Sequence, residues 1–363
     1  MKRFAFLMTL AVALIMGCSD NNPNSYYVIT GDYYGALPKG EWAYLYVQKE
    51  GSREFEQIDS TRVNKIGVAI FKGEIDTPRI AQIRSNIVNG KKMEQKFIVT
   101  TFILEHGAIK SPRTDNTFDM PSNTPLNDAI NKLGNRFKEL AIQVEQNQID
   151  YSTATATMCG EAAEIMERYP GSPLQYYIAE RIGFHLEAPQ QLELISLIPN
   201  SEEYFAEELL RAKDILRVAE GTDYIEIKVP NLDGDTISLK SIVENPNNRY
   251  VLLEFWASGC HACIEWLPQL KELYQKYKSQ GVEFYSVSLD TQKEIWQNTT
   301  QRFTIPWINC SSLQNWDTSE AAKQYAIYAI PTYYLIDCIS GKIVAKHTNI
   351  KTLQEGLSKS AQI

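Results

Sequence analysis

The sequence predicts a multidomain fold: an N-terminal antiparallel β domain, an α-helical middle region and a C-terminal α/β domain with an antiparallel edge. Three observations carry this. Residues 26–110 are strand-like and punctuated by glycines, residues 124–220 repeat apolar side chains at helical spacing, and residues 222–363 alternate strands with helices. At roughly 150 residues per domain, a chain of 363 residues holds two or three such units.

The chain opens with an address rather than a fold. Lys2-Arg3 precedes an apolar run from Phe4 to Met16, broken only by Thr9. The run is short for a bilayer span, which needs about 20 residues, and suits the apolar part of a secretion signal. Leu14-Ile15-Met16-Gly17-Cys18 resembles a bacterial lipoprotein box. That resemblance implies a signal peptide over 1–17, lipidation at Cys18 and a polar tether over 18–25. The mature protein is then exported and held on a membrane by acyl chains, facing the periplasm.

In the β domain, 26–110, Trp42, Tyr44 and Tyr46 alternate with smaller residues, and Phe97 to Leu104 is rich in β-branched and aromatic side chains. Gly31, Gly35, Gly40, Gly67, Gly73 and Gly90 mark turns. Most aromatics of this region are expected in the core. Residues 111–123, with Pro112 and Pro121, read as a linker. In the helical region Leu126, Ile130, Leu133, Phe137, Leu140 and Val144 share one helix face. Thr124-Pro125 and Ser172-Pro173 each offer a cap followed by a proline at the first helical position. A further helix is expected over Glu202–Val218, and no chemistry is assigned to the region.

From residue 222 onward, Tyr224–Val229 and Thr236–Leu239 flank a turn at Asp233-Gly234. Tyr250–Trp256 is a continuous apolar strand interrupted by Glu254, as at the centre of a sheet covered on both faces. A helix follows from Cys260 to about Lys278, then a strand over Val282–Leu289 and a helix over Glu294–Arg302. A short strand at Ile305–Asn309, a helix at Thr318–Tyr325, a hairpin of Thr332–Asp337 with Lys342–Lys346, and a helix over Thr352–Ser360 complete the domain.

Net charge is −8, and loss of Lys2 and Arg3 with the signal peptide takes it to −10. An acidic balance without a Lys/Arg run argues against a nucleic-acid partner. Of six cysteines, only Cys260 and Cys263 are close in sequence. One CxxC does not complete a four-ligand zinc site, and His106, His185, His261 and His347 show no ligand spacing. Ile264, rather than histidine, follows Cys263, so covalent haem attachment fails as well. With no metal or cofactor expected, redox chemistry is the best use of the pair.

A strand that runs through Cys260-His261-Ala262-Cys263 into a helix puts the first cysteine at a helix N-terminus. Free N–H groups and the helix dipole there stabilise a thiolate, the attacking species in thiol–disulfide exchange. Cys263, within the first turn, reaches back to resolve the mixed disulfide. Cys260 is the expected exposed nucleophile and Cys263 the shielded resolver.

Phe255-Trp256-Ala257-Ser258-Gly259-Cys260-His261-Ala262-Cys263 resembles the active-site stretch of the thioredoxin superfamily. More narrowly, it is similar to the TlpA/ResA-type thiol–disulfide oxidoreductases exported by bacteria. Pro268 falls where that family kinks its helix, and Glu254 where thioredoxins carry a buried acid. Ala329-Ile330-Pro331-Thr332 resembles the loop whose proline is cis and packs against the disulfide. Ser286-Val287-Ser288-Leu289-Asp290, followed by Trp296, resembles the family's strand and inserted helix. Upstream, Ile58-Asp59-Ser60-Thr61, Phe71-Lys72-Gly73 and Ile103-Leu104-Glu105-His106-Gly107 resemble an uncharacterised β domain that often precedes a thioredoxin domain in such lipoproteins.

The resemblance implies a thioredoxin-like fold over 222–363 and catalytic roles for Cys260, Cys263, Glu254 and Pro331. Glu254 would take the proton of Cys263, its pKa raised by desolvation. A cis bond at Pro331 would leave the Ile330 backbone free to pair with a substrate strand. Trp256, His261, Ala262, Ile330 and Thr332 would support the site. The implied partners are a protein disulfide substrate and a membrane or periplasmic electron donor, with reduction favoured, as in cytochrome c maturation.

Three positions depart from the pattern. Gly259 stands where the family usually has Trp, Trp266 where many members have Glu, and His261 where Gly, Pro or an acid is usual. A protonated His261 would stabilise the Cys260 thiolate; an exposed, inert histidine is the alternative. Cys310 and Cys338 lie near strand ends, and geometry decides whether they pair. Cys159 is expected to be a small buried residue. A second reading of the whole chain is a surface-binding lipoprotein that uses a thioredoxin scaffold with secondary redox activity. A peroxidase is disfavoured, since no Pro-x-x-x-Thr-x-x-Cys motif occurs.

Overall fold

The computed structural model describes residues 26–32, 37–88, 91–111 and 121–360. The expected signal peptide, Cys18, the expected tether and most of the expected linker lie outside the described residues. The chain divides into two compact units after Ala206.

The first unit begins with seven strands: β1 (Tyr26–Asp32), β2 (Trp42–Gln48), β3 (Phe55–Arg62), β4 (Val68–Glu74), β5 (Arg79–Val88), β6 (Lys91–Leu104) and β7 (Gly107–Ser111). They form two sheets, β4-β1-β7 and β3-β2-β5-β6. Every pairing is antiparallel except β1 with β7, which is parallel. Tyr27, Ile29, Phe71 and Ile109 from one sheet and Leu45, Val47, Ile83 and Phe102 from the other share one buried core.

The alternation along β2 is as expected, but its small residues are the buried ones. Ala43, Leu45 and Val47 point inward, while Trp42 is 39% exposed and Tyr44 and Tyr46 are half-buried on the outer face. These rings keep their faces in use. Arg62 stacks on Trp42, Arg84 on Tyr46 and Lys96 on Tyr44, at 5.0, 4.4 and 3.8 Å from the ring centroids.

Helices α1 (Pro125–Glu145), α2 (Tyr151–Arg168), α3 (Pro173–Arg181) and α4 (Ala188–Ser196) follow. The prolines at the first turns of α1 and α3 are where the sequence places them, but neither Thr124 nor Ser172 caps its helix through its side chain. The start of α1 is instead held by the end of β6. Glu105 Oε1 accepts from the backbone N–H groups of Leu126 and Asn127, at 2.9 and 3.1 Å. Asn127 in turn accepts from Ile103 N–H (3.0 Å) and donates to Ile103 O (2.7 Å). All of these atoms are buried, so each bond offsets the desolvation of two polar groups.

Helix α5 (Ala206–Arg217), shorter than the sequence suggests, starts at the last residue of the first unit and otherwise belongs to the second. A small hairpin of β8 (Lys228–Pro230) and β9 (Thr236–Ser238) and a short helix α6 (Leu239–Val243) come next. The central sheet has the order β12-β11-β10-β13-β14. Its strands are β10 (Tyr250–Trp256), β11 (Val282–Ser288), β12 (Ile308–Ser311), β13 (Thr332–Asp337) and β14 (Lys342–His347). The first three run parallel, and β13 and β14 form the expected antiparallel edge. The helices are α7 (His261–Lys278), α8 (Lys293–Phe303), α9 (Glu320–Gln324) and α10 (Ile350–Ser360).

Every residue of β10 is buried. Its odd-numbered side chains, Val251, Leu253 and Phe255, pack with Tyr325, Tyr334 and Leu239 on one side of the sheet. Its even-numbered side chains face α7 and α10: Tyr250 and Leu252 pack with Leu267, Leu270, Leu353 and Leu357. The two-residue period of a strand therefore sends Glu254 to the α7 side.

Cys310 and Cys338 do not pair; both are free, as is the buried Cys159. The reason is topological. Cys310 lies on β12 and Cys338 follows β13, with β11 and β10 between them. Three inter-strand spacings amount to about 14 Å, far beyond disulfide reach.

Replacing Asn127 with alanine strands the Ile103 N–H and C=O in the buried junction of β6 and α1. The expected loss is about 2–4 kcal/mol, read as a lower denaturation midpoint with an unchanged slope. A loss below about 0.5 kcal/mol would mean that water serves those groups equally well.

Candidate redox site

The site is built where β10 leaves the sheet. The chain turns through Ala257-Ser258-Gly259 and enters α7 with Cys260 at the N-cap. Asp290, just past β11, fixes that turn. Its carboxylate accepts from Ser258 N–H (3.1 Å), Ser258 Oγ (2.8 Å) and Ser288 Oγ (2.7 Å). Asp290 appears in the sequence only as part of a family-like strand; that it anchors the loop before Cys260 emerges from the fold.

Cys260 and Cys263 are joined by a disulfide, their Cα atoms 5.3 Å apart. Cys263 is 1% exposed and Cys260 is half-buried, in line with resolver and nucleophile. The backbone N–H of Cys263 donates to Cys260 Sγ at 3.2 Å. The sulfur thus takes the place of the serine or aspartate oxygen that usually caps a helix, and the same N–H is available to a thiolate. A Cβ at Gly259 would meet open space, so the slot that usually holds Trp is empty beside the nucleophile for lack of a side chain rather than lack of room.

Facing Cys260 is the loop before β13. The Ile330–Pro331 bond is cis, and Cys260 Sγ lies 3.6 Å from Ile330 O. Thr332 Oγ1 donates to Ala329 O at 2.7 Å, closing the loop around the proline. Trp256 packs with Cys263 and Trp296 in a small buried cluster that Ile330 and Cys260 also touch. Its indole N–H donates to Asn309 Oδ1 at 3.3 Å. Ala262 sits half-buried between the two cysteines.

Beneath this cluster lies Glu254, 2% exposed and level with Ser286 on β11 and Tyr333 on β13. Ser286 Oγ donates to its Oε2. Burial raises its pKa to about 7, the Ser286 hydrogen bond opposing the shift. The carboxyl therefore titrates near neutrality, as a proton acceptor for a thiol should.

His261 is placed differently from the other supporting residues. Its side chain is 94% exposed, and Nδ1 stands 3.6 Å from Glu265 Oε2, one helical turn on. Among the described residues no cluster of three or more His, Cys, Asp or Glu side chains is arranged to hold a metal, and no helix is long and apolar enough to cross a membrane.

Residues 247–343 match the family model described as thioredoxin-like, and residues 27–130 match one described as a domain of unknown function, DUF4369. The thiol-disulfide oxidoreductase ResA of Bacillus thuringiensis subsp. konkukian is 29% identical over 134 residues, covering 36% of this chain and 72% of the relative. ResA of Halalkalibacterium halodurans is 29% identical over 136 residues, covering 37% and 71%. A solved thiol-disulfide oxidoreductase from Bacteroides fragilis is 32% identical, with a TM-score of 0.35, covering 38% of this chain and 98% of that one. The chain thus has a thioredoxin-like thiol–disulfide oxidoreductase fold, related to ResA at low identity, behind an uncharacterised N-terminal domain. A CxxC pair that forms a disulfide in this fold is the equipment of an oxidoreductase.

The buried carboxyl makes stability depend on pH. Folded, Glu254 holds its proton up to about 7; unfolded, it releases it near the ordinary value of 4.5. Between those values the unfolded chain binds fewer protons, so stability falls as pH rises, by on the order of 3 kcal/mol, and the slope ends above the folded pKa. Denaturation of the oxidised protein from pH 4 to 9 is expected to show this slope and Glu254→Gln to remove it. An identical slope in the variant would assign it to another group.

Proposed function

We propose that the chain is an exported, lipid-anchored enzyme that reduces protein disulfides through Cys260 and Cys263. The observation that carries this reading is a single constellation. A disulfide caps a helix N-terminus, a cis-proline loop lies against its outer sulfur, and a carboxyl whose pKa burial raises to about 7 lies on the same strand face as Trp256, which packs on the inner cysteine.

The reaction follows from those positions. In the reduced enzyme the Cys260 thiolate, held by the Cys263 N–H and the helix dipole, attacks one sulfur of the substrate disulfide. That bond breaks, a Cys260–substrate disulfide forms, and the departing thiolate takes a proton from water. Cys263 then gives its proton to Glu254 and attacks Cys260 Sγ. The bond between Cys260 and the substrate breaks, and the substrate's second thiolate leaves and is protonated. Two electrons have passed to the substrate, and the enzyme is in the disulfide state seen here. A membrane or periplasmic dithiol donor returns it to the dithiol. No further cofactor is needed. The backbone of Ile330, in the bend before β13 and beside Cys260, offers a docking edge for an extended substrate segment. Export and anchoring are supported by the Leu14–Cys18 pattern and by the relation to ResA.

Cys260→Ser is expected to reduce insulin disulfides no faster than the chemical donor alone. Cys263→Ser should stall after the first step and retain its substrate on Cys260 through a bond that thiols release. A Cys260→Ser protein as active as the parent, in that assay and in cells, would favour a binding lipoprotein instead. Cys18→Ser is expected to move the chain from the membrane fraction to the soluble one; unchanged fractionation would refute the anchor.

A further inference from the structure

Glu254 is held by a short chain of donors that begins at an indole N–H. Trp307 Nε1 donates to Ser286 Oγ at 2.6 Å, and Ser286 Oγ donates to Glu254 Oε2. An indole N–H is a donor only, and a serine hydroxyl has one proton. With Trp307 donating to it, the Ser286 oxygen has that single proton left, and it points to Oε2. With the hydroxyl in that orientation a proton on Oε2 would collide with it, so Oε1 is the oxygen that takes a proton without turning Ser286. Oε1 is buried and, among the described residues, has no hydrogen-bond partner. All three side chains are buried or nearly so, on the sheet face covered by α7.

We propose that Ser286 and Trp307 are positioning residues for Glu254: they clamp Oε2 and leave Oε1 as the atom that exchanges the proton with Cys263. This rests on the reading of Glu254 as the proton acceptor for the resolving cysteine. Cys263, from α7, lies in the buried cluster with Trp256, two residues along β10 from Glu254 on the same face. From β13, Tyr333 is directly across from Glu254. Burial and the neighbouring carboxylate push its phenol well up, so it stays neutral through the range in question. Opposite Tyr333 on β14 is His347, whose pKa burial pushes down, leaving it uncharged above neutrality. Ser286, Trp307 and Asn309 carry no charge. The donor chain is thus the polar hold on the carboxyl from the β11 side.

The test titrates Glu254 directly in the full oxidised chain, by the infrared C=O stretch of the protonated carboxyl, identified by its loss in Glu254→Gln. In parallel, the rate at which Cys263 resolves a mixed disulfide is followed against pH. Ser286→Ala removes a donor that favours the charged form, so the midpoint should rise by about one pH unit, with the resolving profile moving in step. Trp307→Phe frees the hydroxyl to rotate and should shift the midpoint the same way by less. The double variant should match Ser286→Ala, since Trp307 acts only through Ser286. Ser286→Thr keeps the hydroxyl and should restore the parent midpoint. If Glu254→Gln flattens the resolving profile while Ser286→Ala leaves the midpoint in place, or if the two single shifts add, the acceptor survives and the relay is refuted. If Glu254→Gln leaves the resolving profile unchanged, the acceptor reading fails and the relay falls with it.

Discussion

The N–H of Cys263 donates to Cys260 Sγ across 3.2 Å, and much of the second unit is organised around that bond. It supplies the cap that α7 needs, because the first N–H groups of any helix lack partners within it. It sets the two sulfurs on one turn, close enough to join. It also aims a backbone dipole at the atom that must carry negative charge when the pair is reduced. An oxygen-bearing cap would serve the first purpose and neither of the others. The supporting contacts maintain this geometry from outside: Asp290 holds the preceding turn through Ser258, and the cis-proline loop lies against the sulfur from the other side.

A second constraint comes from the period of β10. Because successive side chains of a strand alternate between faces, Trp256 and Glu254 share the face under α7, while Phe255 between them enters the opposite core. Moving the acid by one residue would place it among Val287, Tyr325 and Tyr334, away from the sulfurs. The arrangement is costly. A carboxyl 2% exposed loses its hydration, and the fold returns one firm hydrogen bond, from Ser286. That incomplete compensation lifts its pKa into the neutral range, where a proton can move in either direction. Full satisfaction by several donors would stabilise the protein and leave a weaker base.

Much of this was legible in the sequence, for reasons that can be stated. The unbroken apolar run Tyr250–Trp256 marks a strand buried on both faces, and a lone Glu in it must be either a defect or a device. CxxC after such a strand places a sulfur at a helix N-terminus, and the β13–β14 hairpin declares itself at Ser340-Gly341. Less could be read where the outcome depends on long-range partners. Nothing local links Trp307 to Ser286, 21 residues apart, until β12 is laid beside β11. The parallel pairing of β1 with β7 joins strands that are separated along the chain by β2 to β6. On β2, alternation separates two faces, but the expectation that aromatics of this region lie in the core fails for Trp42, Tyr44 and Tyr46. Ala43, Leu45 and Val47 suit a closely packed sandwich, and the larger rings go outside, where Arg and Lys cover them. At Thr124 and Ser172, residue type suggested side-chain capping. At α1, Glu105, just past the end of β6, accepts from the open N–H groups instead, and the Thr124 hydroxyl accepts from the Asn127 side chain.

Two groups can bear on the Cys260 thiolate, the N-terminus of α7 and His261. Distance and solvent decide for the helix. The Cys263 N–H is in direct contact with the sulfur, in a part-buried turn where a dipole acts more strongly than in water. The imidazole is 94% exposed, and what charge it carries is shared with Glu265 at 3.6 Å and screened by water. An exposed ion pair of this kind contributes a fraction of what a desolvated hydrogen bond does. The identity of the residue after Cys260 is therefore a fine adjustment, and the reactivity of the pair is a property of where β10 hands the chain to α7.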